Sequence, residues 1–362
     1  MKKICGLILS FSIVFCLCLA LVACGETTVP STWSATTSTT TTEQGYLRDG
    51  DYLYFGEYPQ TQVTDSTITN ALTTAAGTLP TSSNAQGWTS YGYYIDGSVS
   101  DYMWYIDLTN NGEKYRGVYF TSYRPSFTME SSSAINSSQD DNGYNTGTIY
   151  WFRYEPIKWH ILSEANGEAL IFCEMAIDSQ EYYPSESTSQ FFHNGGTGYA
   201  NNYALSNIRK WLNDTFYNTA FNDLQKQLIL LTTVDNSARS TNPNSNATNW
   251  NSGNNSYACA NTQDHVFLLS EQEVTNAAYG FDSSYTDYDT ARRKQNTDYA
   301  RCQGAWTSTD SSYKGNGYWW LRSPYYDFSD YARFVDNYGY NNGFIVSFTD
   351  NGVVPALKIK LF

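Results

Sequence analysis

The residue types that most often carry catalysis are few in this chain, and none falls in a recognisable catalytic motif. The only histidines are His160, His193 and His265, and they lack the fixed ligand spacing of a zinc site. The chain has no Gly-x-Ser-x-Gly motif and no phosphate-binding loop. Its acidic residues are scattered, so no carboxylate pair of the glycosidase type can be selected. We predict that the protein is not an enzyme; an enzyme acting on cell-wall or other polysaccharide is the alternative.

The cysteines predict structural roles. Four of the seven lie in the first 24 residues, which leaves Cys173, Cys259 and Cys302 for the folded part. Three is an odd number, so at most one disulfide forms within the chain and one thiol stays free. No pair has Cys-x-x-Cys spacing, so buried structural cysteines are expected. His160 and His265 lie in strand-like patterns and are predicted to be buried or edge residues, and His193 is predicted to lie in a loop.

Binding is the chemistry that a segment near the C-terminus offers. Residues 325–351 contain five Tyr, four Asp, four Asn, four Phe and two Ser, 19 of 27 positions. Tyr and Phe supply rigid contact area at low entropic cost, and Asp, Asn and Ser supply adaptable hydrogen bonds. A polar surface loop without function is the alternative. We predict that ligand contacts are made by Tyr325, Tyr326, Asp327, Phe328, Asp330, Tyr338, Tyr340, Asn341, Asn342 and Phe344.

Two apolar anchors bracket this segment and must position it. Residues 318–324 and 352–359 have the pattern of short buried strands bounded by Gly and Pro. We assign Trp319, Trp320, Arg322 and Pro324 to this scaffold, and we expect Arg322 to pair with a buried acid. A fixed scaffold with a decorated loop is typical of a binding site.

The composition of the segment also has a possible genetic cause. Residues 325–351 contain no Lys, Glu, Gln, Trp or Met. Randomising the two adenines of an AAC codon gives Asn, Asp, Tyr, Ser, Phe and a few other types, but never these five. Diversity-generating retroelements change codons in this way, so the composition is consistent with a diversified segment. Residues 65–85 also lack these five types, so an ordinary loop remains the alternative.

The N-terminus predicts export and lipid attachment. Residues 1–23 read as a signal peptide, with two lysines followed by an apolar run. The run ends in Leu-Val-Ala-Cys, which resembles the bacterial lipobox, so we expect lipidation of Cys24. Residues 24–45 are a Ser/Thr-rich tether that is too polar to fold, and residues 46–362 are the folded domain. A retained transmembrane helix is the alternative, because the run is about 20 residues long. The expected location is the extracellular face of a bacterial membrane.

The charge balance limits the partners and cofactors. The net charge of −14 would repel nucleic-acid phosphates, so no nucleic-acid partner is expected. Asp and Asn oxygens are suitable ligands for Ca²⁺, but the chain has no EF-hand loop. We therefore predict no cofactor, with Ca²⁺ left open and without a motif to support it.

The pattern of apolar residues predicts an α+β fold with many loops. Strands are expected at residues 52–61, 103–107, 117–121 and 265–269, and the best hairpin turns at Asn166-Gly167 between residues 157–162 and 169–174. Helices are expected from Ser206 to Phe216 and from Asn222, and a capping box at Ser270 and Glu273 opens a short one. Residues 65–100, 122–147 and 279–316 are predicted to be loop-like or irregular.

The order of these segments resembles a family of bacterial extracellular domains without an established activity. The resemblance covers residues 46–362 and rests on FGEYPQT, IKWHIL, EALIFCE, SNIRKWLNDTFYNTAF, HVFLLSEQEV, YWWLRSP and VVPALKI. Members usually end in GVRPAL, so Val354 stands here in place of an arginine.

More distantly, the closing pattern resembles the C-type lectin fold in its formylglycine-generating-enzyme variety. The variable proteins of diversity-generating retroelements use this fold, in which a terminal strand pair frames the ligand surface. The resemblance implies a C-type-lectin-like domain with short antiparallel strands and two or three helices. The cysteine pair of the formylglycine-generating enzymes has no counterpart, because no cysteine follows Cys302.

These observations predict a surface lipoprotein that binds a protein or glycan ligand through its C-terminal Tyr/Asp/Asn-rich region. The alternatives are the polysaccharide-acting enzyme and a solute-binding lipoprotein of a transporter. Two similar lobes joined by a hinge would favour the transporter protein, and the predicted strand order does not.

Overall fold

The fold was analysed in a computed structural model that describes residues 45–91, 102–124, 138–241, 255–284 and 287–362. The predicted signal peptide, Cys24 and nearly all of the tether lie outside the described residues. Residues Thr42–Phe362 form one compact unit. Among the described residues, no helix is long and apolar enough to cross a membrane.

Strands and helices are mixed along the chain, which confirms the α+β prediction. The strands are β1 (Leu47–Asp49), β2 (Tyr52–Gln62), β3 (Thr89–Ser90), β4 (Met103–Asn110), β5 (Glu113–Phe120), β6 (Ile149–Ala165), β7 (Glu168–Cys173), β8 (Asp178–Ser179), β9 (Phe191–His193), β10 (Gly196–Gly198), β11 (Thr232–Val234), β12 (Thr262–Asp264), β13 (Trp319–Pro324), β14 (Tyr331–Val335), β15 (Asn341–Ile345), β16 (Gly352–Val353) and β17 (Ala356–Lys360). The helices are α1 (Ser66–Ala76), α2 (Ser138–Asp141), α3 (Asn207–Trp211), α4 (Tyr217–Ala220), α5 (Asp223–Leu228), α6 (Ala238–Thr241) and α7 (Asp298–Cys302).

The larger sheet has eight strands and is antiparallel throughout. Its order is β1-β2-β6-β5-β4-β3, and β7 and β17 continue it from the second half of β6. The hairpin predicted at Asn166-Gly167 is confirmed, because β6 and β7 pair on either side of that turn. Strands β4 and β5, which contain the predicted strands 103–107 and 117–121, pair as a second hairpin. At 17 and 11 residues, β6 and β2 are longer than the short strands expected.

The smaller sheet positions the predicted binding segment. It has the order β15-β14-β13-β16-β8, and only the β13–β16 pair is parallel. Both anchors predicted from sequence are strands: β13 holds the first, and β16 and β17 hold the second. One hydrophobic core joins the eight-stranded and the five-stranded sheet, and in it the Phe172 ring of β7 contacts the Trp319 ring of β13 at 5.5 Å between centroids.

The mid-chain helices form where the sequence predicts them. Helix α3, a π-helical turn over Leu212–Phe216 and α4 run on continuously, and Ser206 caps the start through a hydrogen bond from the Arg209 amide. The capping box of Asn222 and Gln225 opens α5. Ser270 and Glu273 also form a reciprocal cap, although the turn that follows, Glu273–Thr275, is a short 3-10 helix.

Three predictions are wrong in part. Residues 65–100 are not all loop, because Asp65 caps α1 and Leu72 on that helix is buried in a second small core with Trp104 and Trp151. Residues 265–269 are not a strand: the Asn213 side chain accepts hydrogen bonds from the amides of residues 265 and 266, and Phe267 makes a single bridge. Two or three helices is also too few, because several helices of four to six residues are too short to show a period.

Candidate functional site

The loop that joins β13 to β14, residues 325–330, carries five of the ten predicted contact residues. Tyr326 and Phe328 are 42% and 54% exposed, and Asp327 is exposed beside them. Tyr325 and Asp330 are half-buried. Apolar area left in water is unfavourable, and exposed apolar rings that are grouped together often mark an interaction surface.

Ring packing holds this loop against the smaller sheet. The Tyr325 ring lies so close to Gly343 of β15 that a Cβ added to the glycine would come within 2.5 Å of Cδ2. The Phe328 and Tyr325 rings are nearly parallel, with centroids 6.1 Å apart, and the Tyr331 ring contacts both. The Arg333 guanidinium lies 4.5 Å from the centre of the Tyr325 ring, which is a cation–π contact.

A buried ion pair lies beneath the rings. Arg333 is 3% exposed, and its Nε lies 3.1 Å from Oε2 of the fully buried Glu271. The pair is close but poorly aligned, because neither Glu271 oxygen accepts a hydrogen bond from the described residues. Burial raises the pKa of Glu271 to about 7, against the opposing effect of the Arg333 and Arg292 charges. The charge beneath the loop therefore changes near neutral pH.

Buried amide side chains fix the backbone of the loop. Asn201, which is fully buried, donates from Nδ2 to the carbonyl oxygens of Phe328 (2.9 Å) and Tyr331 (3.0 Å). Its own amide donates to the carbonyl of Ser329. Asn255 donates to the carbonyl of Pro324, where the loop begins. The exposed rings therefore stand on a backbone that is already ordered.

A second tyrosine cluster lies at the other end of β14. Tyr338 and Tyr340 are in the turn between β14 and β15, and both rings contact Tyr288, which is 69% exposed. Tyr313 packs edge-on against Tyr338 at 4.6 Å. Arg293 donates to the Tyr338 carbonyl and lies over the Tyr313 ring. Because β14 has five residues at about 3.4 Å each, the two ends are roughly 17 Å apart.

The last three predicted residues lie on β15 and point to different sides. Asn342 is exposed and Phe344 is half-buried, and both share the face of Phe334 and Ala332. Asn341 lies on the opposite face and is buried, and its side chain makes no hydrogen bond with the described residues. The ten predicted residues therefore divide into five in the 325–330 loop, two in the turn between β14 and β15, two on one face of β15, and the buried Asn341.

A family model for a domain of unknown function, DUF6273, matches residues 166–361. The chain belongs to this family. No curated protein and no solved structure matches the chain.

The DUF6273 region runs from the turn before β7 to the last strand and contains all ten predicted contact residues. This agrees with the predicted resemblance to a domain family without an assigned activity, over residues 166–361. Strands β1 to β6 lie before the matched region, yet they supply six of the eight strands in the larger sheet. The DUF6273 region of this chain therefore packs on a sheet that the preceding residues complete.

The motif Trp-Trp-Leu-Arg-Ser-Pro of the DUF6273 region is a buried scaffold. Trp319 and Trp320 are fully buried and donate from Nε1 to the carbonyls of Arg292 and Gln180. Arg322 pairs as expected with an acid, Glu273, although this carboxylate is partly exposed rather than buried. Val354 is fully buried.

The cysteines in the described part of the chain are not joined in disulfides. Cys173 and Cys302 are buried, Cys259 is half-buried, and all three are free thiols. His193 was predicted to lie in a loop but ends strand β9, where its ring packs against those of Tyr183 and Phe191. Within the described ranges, no three His, Cys, Asp or Glu side chains are placed to hold a metal ion.

Three residues that support the candidate surface were not found from the sequence. The sequence does not indicate that Arg333 is buried. Both faces of β14 are covered, so the order of polar and apolar residues in this strand does not show which side chains face the core. Glu271 follows the capping serine and looks like an ordinary first-turn acid. Asn201 lies in a segment rich in Asn and Gly, where no pattern singles it out.

Proposed function

We propose that this protein is a bacterial surface lipoprotein whose folded domain binds a protein ligand through the loop of residues 325–330. One observation carries the proposal: Tyr326 and Phe328 are exposed on a loop that buried Asn201 and the Arg333–Glu271 pair hold in place. Rigid aromatic side chains are the commonest energetic centres of protein interfaces. A preordered loop loses little entropy on binding.

The lectin-like part of the proposal concerns the fold. We infer a C-type-lectin-like domain of the formylglycine-generating-enzyme variety, in which a terminal strand pair frames the ligand surface. Two features support it. The first long strand, β2, and the last strand, β17, belong to one sheet, and the binding loop projects from a second, smaller sheet. The resemblance carries no enzymatic activity to this chain.

Anchoring through Cys24 is proposed from the lipobox alone. The Cys24→Ser variant of the full chain tests it by detergent phase partition. The wild-type protein is expected in the detergent phase and the variant in the aqueous phase. Equal partition of the two proteins would reject the lipid anchor without affecting the ligand-binding proposal.

The binding proposal is tested with the double variant Tyr326→Ser/Phe328→Ser. Wild-type protein is screened against a glycan array and against purified surface proteins of cells that share its habitat. We expect a protein partner whose affinity falls by about 100-fold in the variant, since two central aromatic residues contribute about 3 kcal/mol. Tyr288→Ser, at the far end of β14, is the matched control and should bind normally. If a glycan binds through the same two rings, the ligand is a glycan and not a protein. If a partner binds the double variant as well as the wild type, the 325–330 loop is not the binding site.

Diversification by a retroelement is the genetic part of the proposal. Of residues 325–351, only Tyr326, Asp327, Phe328, Tyr338 and Asn342 are exposed. Sequencing downstream of the gene should reveal a near-copy of codons 319–357 that differs at adenines, beside a reverse transcriptase. If the segment is diversified for binding, related genes should differ chiefly at these five codons. Absence of the near-copy would return the segment to an ordinary loop.

A further inference from the structure

A cavity of about 460 Å³ opens beside β13, on the Arg322 side of the motif strand. Six side chains give it its chemistry: Asp235, Gln272, Glu273, Asn276, Tyr279 and Arg322. None of them is among the residues of the binding loop. The volume falls within the range of small-molecule sites, which is about 300–1,000 Å³.

Arg322 is a fixed group of the cavity. It is 1% exposed, and its two terminal nitrogens are occupied: Nη1 donates to the Leu268 carbonyl and to Glu273, and Nη2 donates to the Asp235 carbonyl. Its Nε is buried and makes no hydrogen bond with the described residues. Arg322 therefore gives the cavity a fixed charge rather than a free hydrogen-bond donor.

The remaining polar groups are a mixture of donors and acceptors. Only Oε2 of Glu273 is used within the described residues, where it accepts from Arg322 and the Ser270 amide. The Gln272 side chain makes no hydrogen bond there, and Asn276 uses only Oδ1, to accept from the Ala278 amide. One carboxylate oxygen, one free amide and one amide nitrogen are thus available to a ligand, beside the half-buried Tyr279 ring.

The charge of the cavity narrows the ligand class. Arg322 is neutralised by Glu273, and Asp235 adds a second carboxylate, so an anionic ligand would be repelled. Hydroxyl groups donate strong hydrogen bonds to carboxylates and accept from amides such as those of Gln272 and Asn276. We propose that this cavity binds a neutral polyhydroxylated ring, a single sugar residue, packed against Tyr279. This site goes beyond the loop surface and does not depend on it.

The proposal is tested by ligand-observed NMR on the full chain, with glucose and N-acetylglucosamine as neutral probes and glucuronate as the anionic control. We expect saturation transfer to at least one neutral sugar with millimolar affinity, and binding of glucuronate at least about 10-fold weaker. Ala277→Trp, which places a large ring at this exposed lining position, should abolish the transfer. Gln272→Ala should weaken binding about 5-fold through the loss of one hydrogen-bonding side chain.

Tyr326→Ser/Phe328→Ser is the matched variant of the other surface and should bind the sugar as the wild type does. Circular dichroism confirms that each variant is folded. The proposal is overturned if neither neutral sugar gives transfer at about 50 mM, a concentration well above millimolar affinity. It is equally overturned if glucuronate binds as well as the neutral probes, or if a folded Ala277→Trp variant binds sugar normally.

Discussion

Similar tyrosine clusters lie at the two ends of β14, but different groups hold them in place. The loop of residues 325–330 rests on a buried ion pair and on Asn201, which makes two side-chain hydrogen bonds to the loop backbone. In the turn of residues 336–340, three backbone carbonyls each accept one hydrogen bond from a side chain. The donors are Arg292, Arg293 and Asn316. Aromatic composition alone therefore does not distinguish the two surfaces, but the groups beneath them do.

The two ends of β14 also differ in the charged groups that lie beneath them. Beneath the 325–330 loop, one buried carboxylate titrates near neutral pH and has a single close cation. Beneath the turn, Arg292 is surrounded by carbonyl oxygens of residues 274, 284 and 287 and lies 3.7 Å from Asp289. The support of the 325–330 loop therefore depends on pH and on one ion pair. The support of the 336–340 turn is shared among many hydrogen bonds.

The largest expected effect is the loss of the cation beneath the 325–330 loop. Arg333→Leu leaves Glu271 buried without its partner, which should lower the free energy of unfolding by about 3–5 kcal/mol at pH 8. At pH 5 the loss should be smaller, because Glu271 is then protonated. Urea unfolding at both pH values measures it. Arg293→Leu, at the other end of β14, is the control and should cost about 1 kcal/mol at either pH. If both variants lose the same free energy of unfolding, the two ends of β14 are supported equally and do not differ in this way.

The next effect is the pH dependence of stability. The pKa of Glu271 rises from 4.5 unfolded to about 7 folded, so the folded state holds its proton more tightly. Stability is therefore greatest below pH 4.5 for this group and falls as the pH rises through 7, by about 3 kcal/mol in total. Asp350, whose pKa burial also raises to about 7, acts in the same direction.

Glu271→Gln isolates this contribution. It removes the titrating group while keeping its shape, so the decline in unfolding free energy between pH 5 and pH 8 should be reduced by about 2.5 kcal/mol. Asp350→Asn serves as the matched variant outside the loop foundation and should remove a separate part of the decline. An unchanged pH profile in Glu271→Gln would show that the carboxylate is already ionised at pH 5.

The strands and helices of the scaffold were largely predictable from the sequence. The buried residues that support the 325–330 loop were not. The hairpin at Asn166-Gly167 and the caps at Ser206 and Asn222 follow from local rules, because turn and cap residues act on their own neighbours. Arg333 meets Glu271 only after two strands and a loop have packed, at a separation of 62 positions in the sequence. The separation of the contact residues between the two ends of β14 and strand β15 likewise depends on where these strands begin and end, which composition does not mark.

A smaller effect is expected from the asparagines that hold the two turns. Asn201→Ala removes hydrogen bonds to the carbonyls of Phe328 and Tyr331, and Asn316→Ala removes one, to the carbonyl of Asn337. At about 1 kcal/mol for each bond, the losses should be about 2 and 1 kcal/mol. Thermal unfolding gives the ratio, and amide hydrogen exchange should rise at Tyr325 and Tyr331 only in the first variant. If exchange rises at neither amide, the loop is held by its rings rather than by Asn201.

The smallest effect on stability should come from the exposed rings themselves. Tyr326→Ser/Phe328→Ser and Tyr288→Ser/Tyr338→Ser each remove side chains that are between 39% and 69% exposed, so each should change the free energy of unfolding by less than about 1 kcal/mol. Urea unfolding of both variants checks this. A ring that adds little to folding and is costly to leave in water is better explained by what it contacts outside the chain. A loss above about 2 kcal/mol in the first variant would instead make Tyr326 and Phe328 part of the packing against Arg333, and would weaken the case for a binding loop.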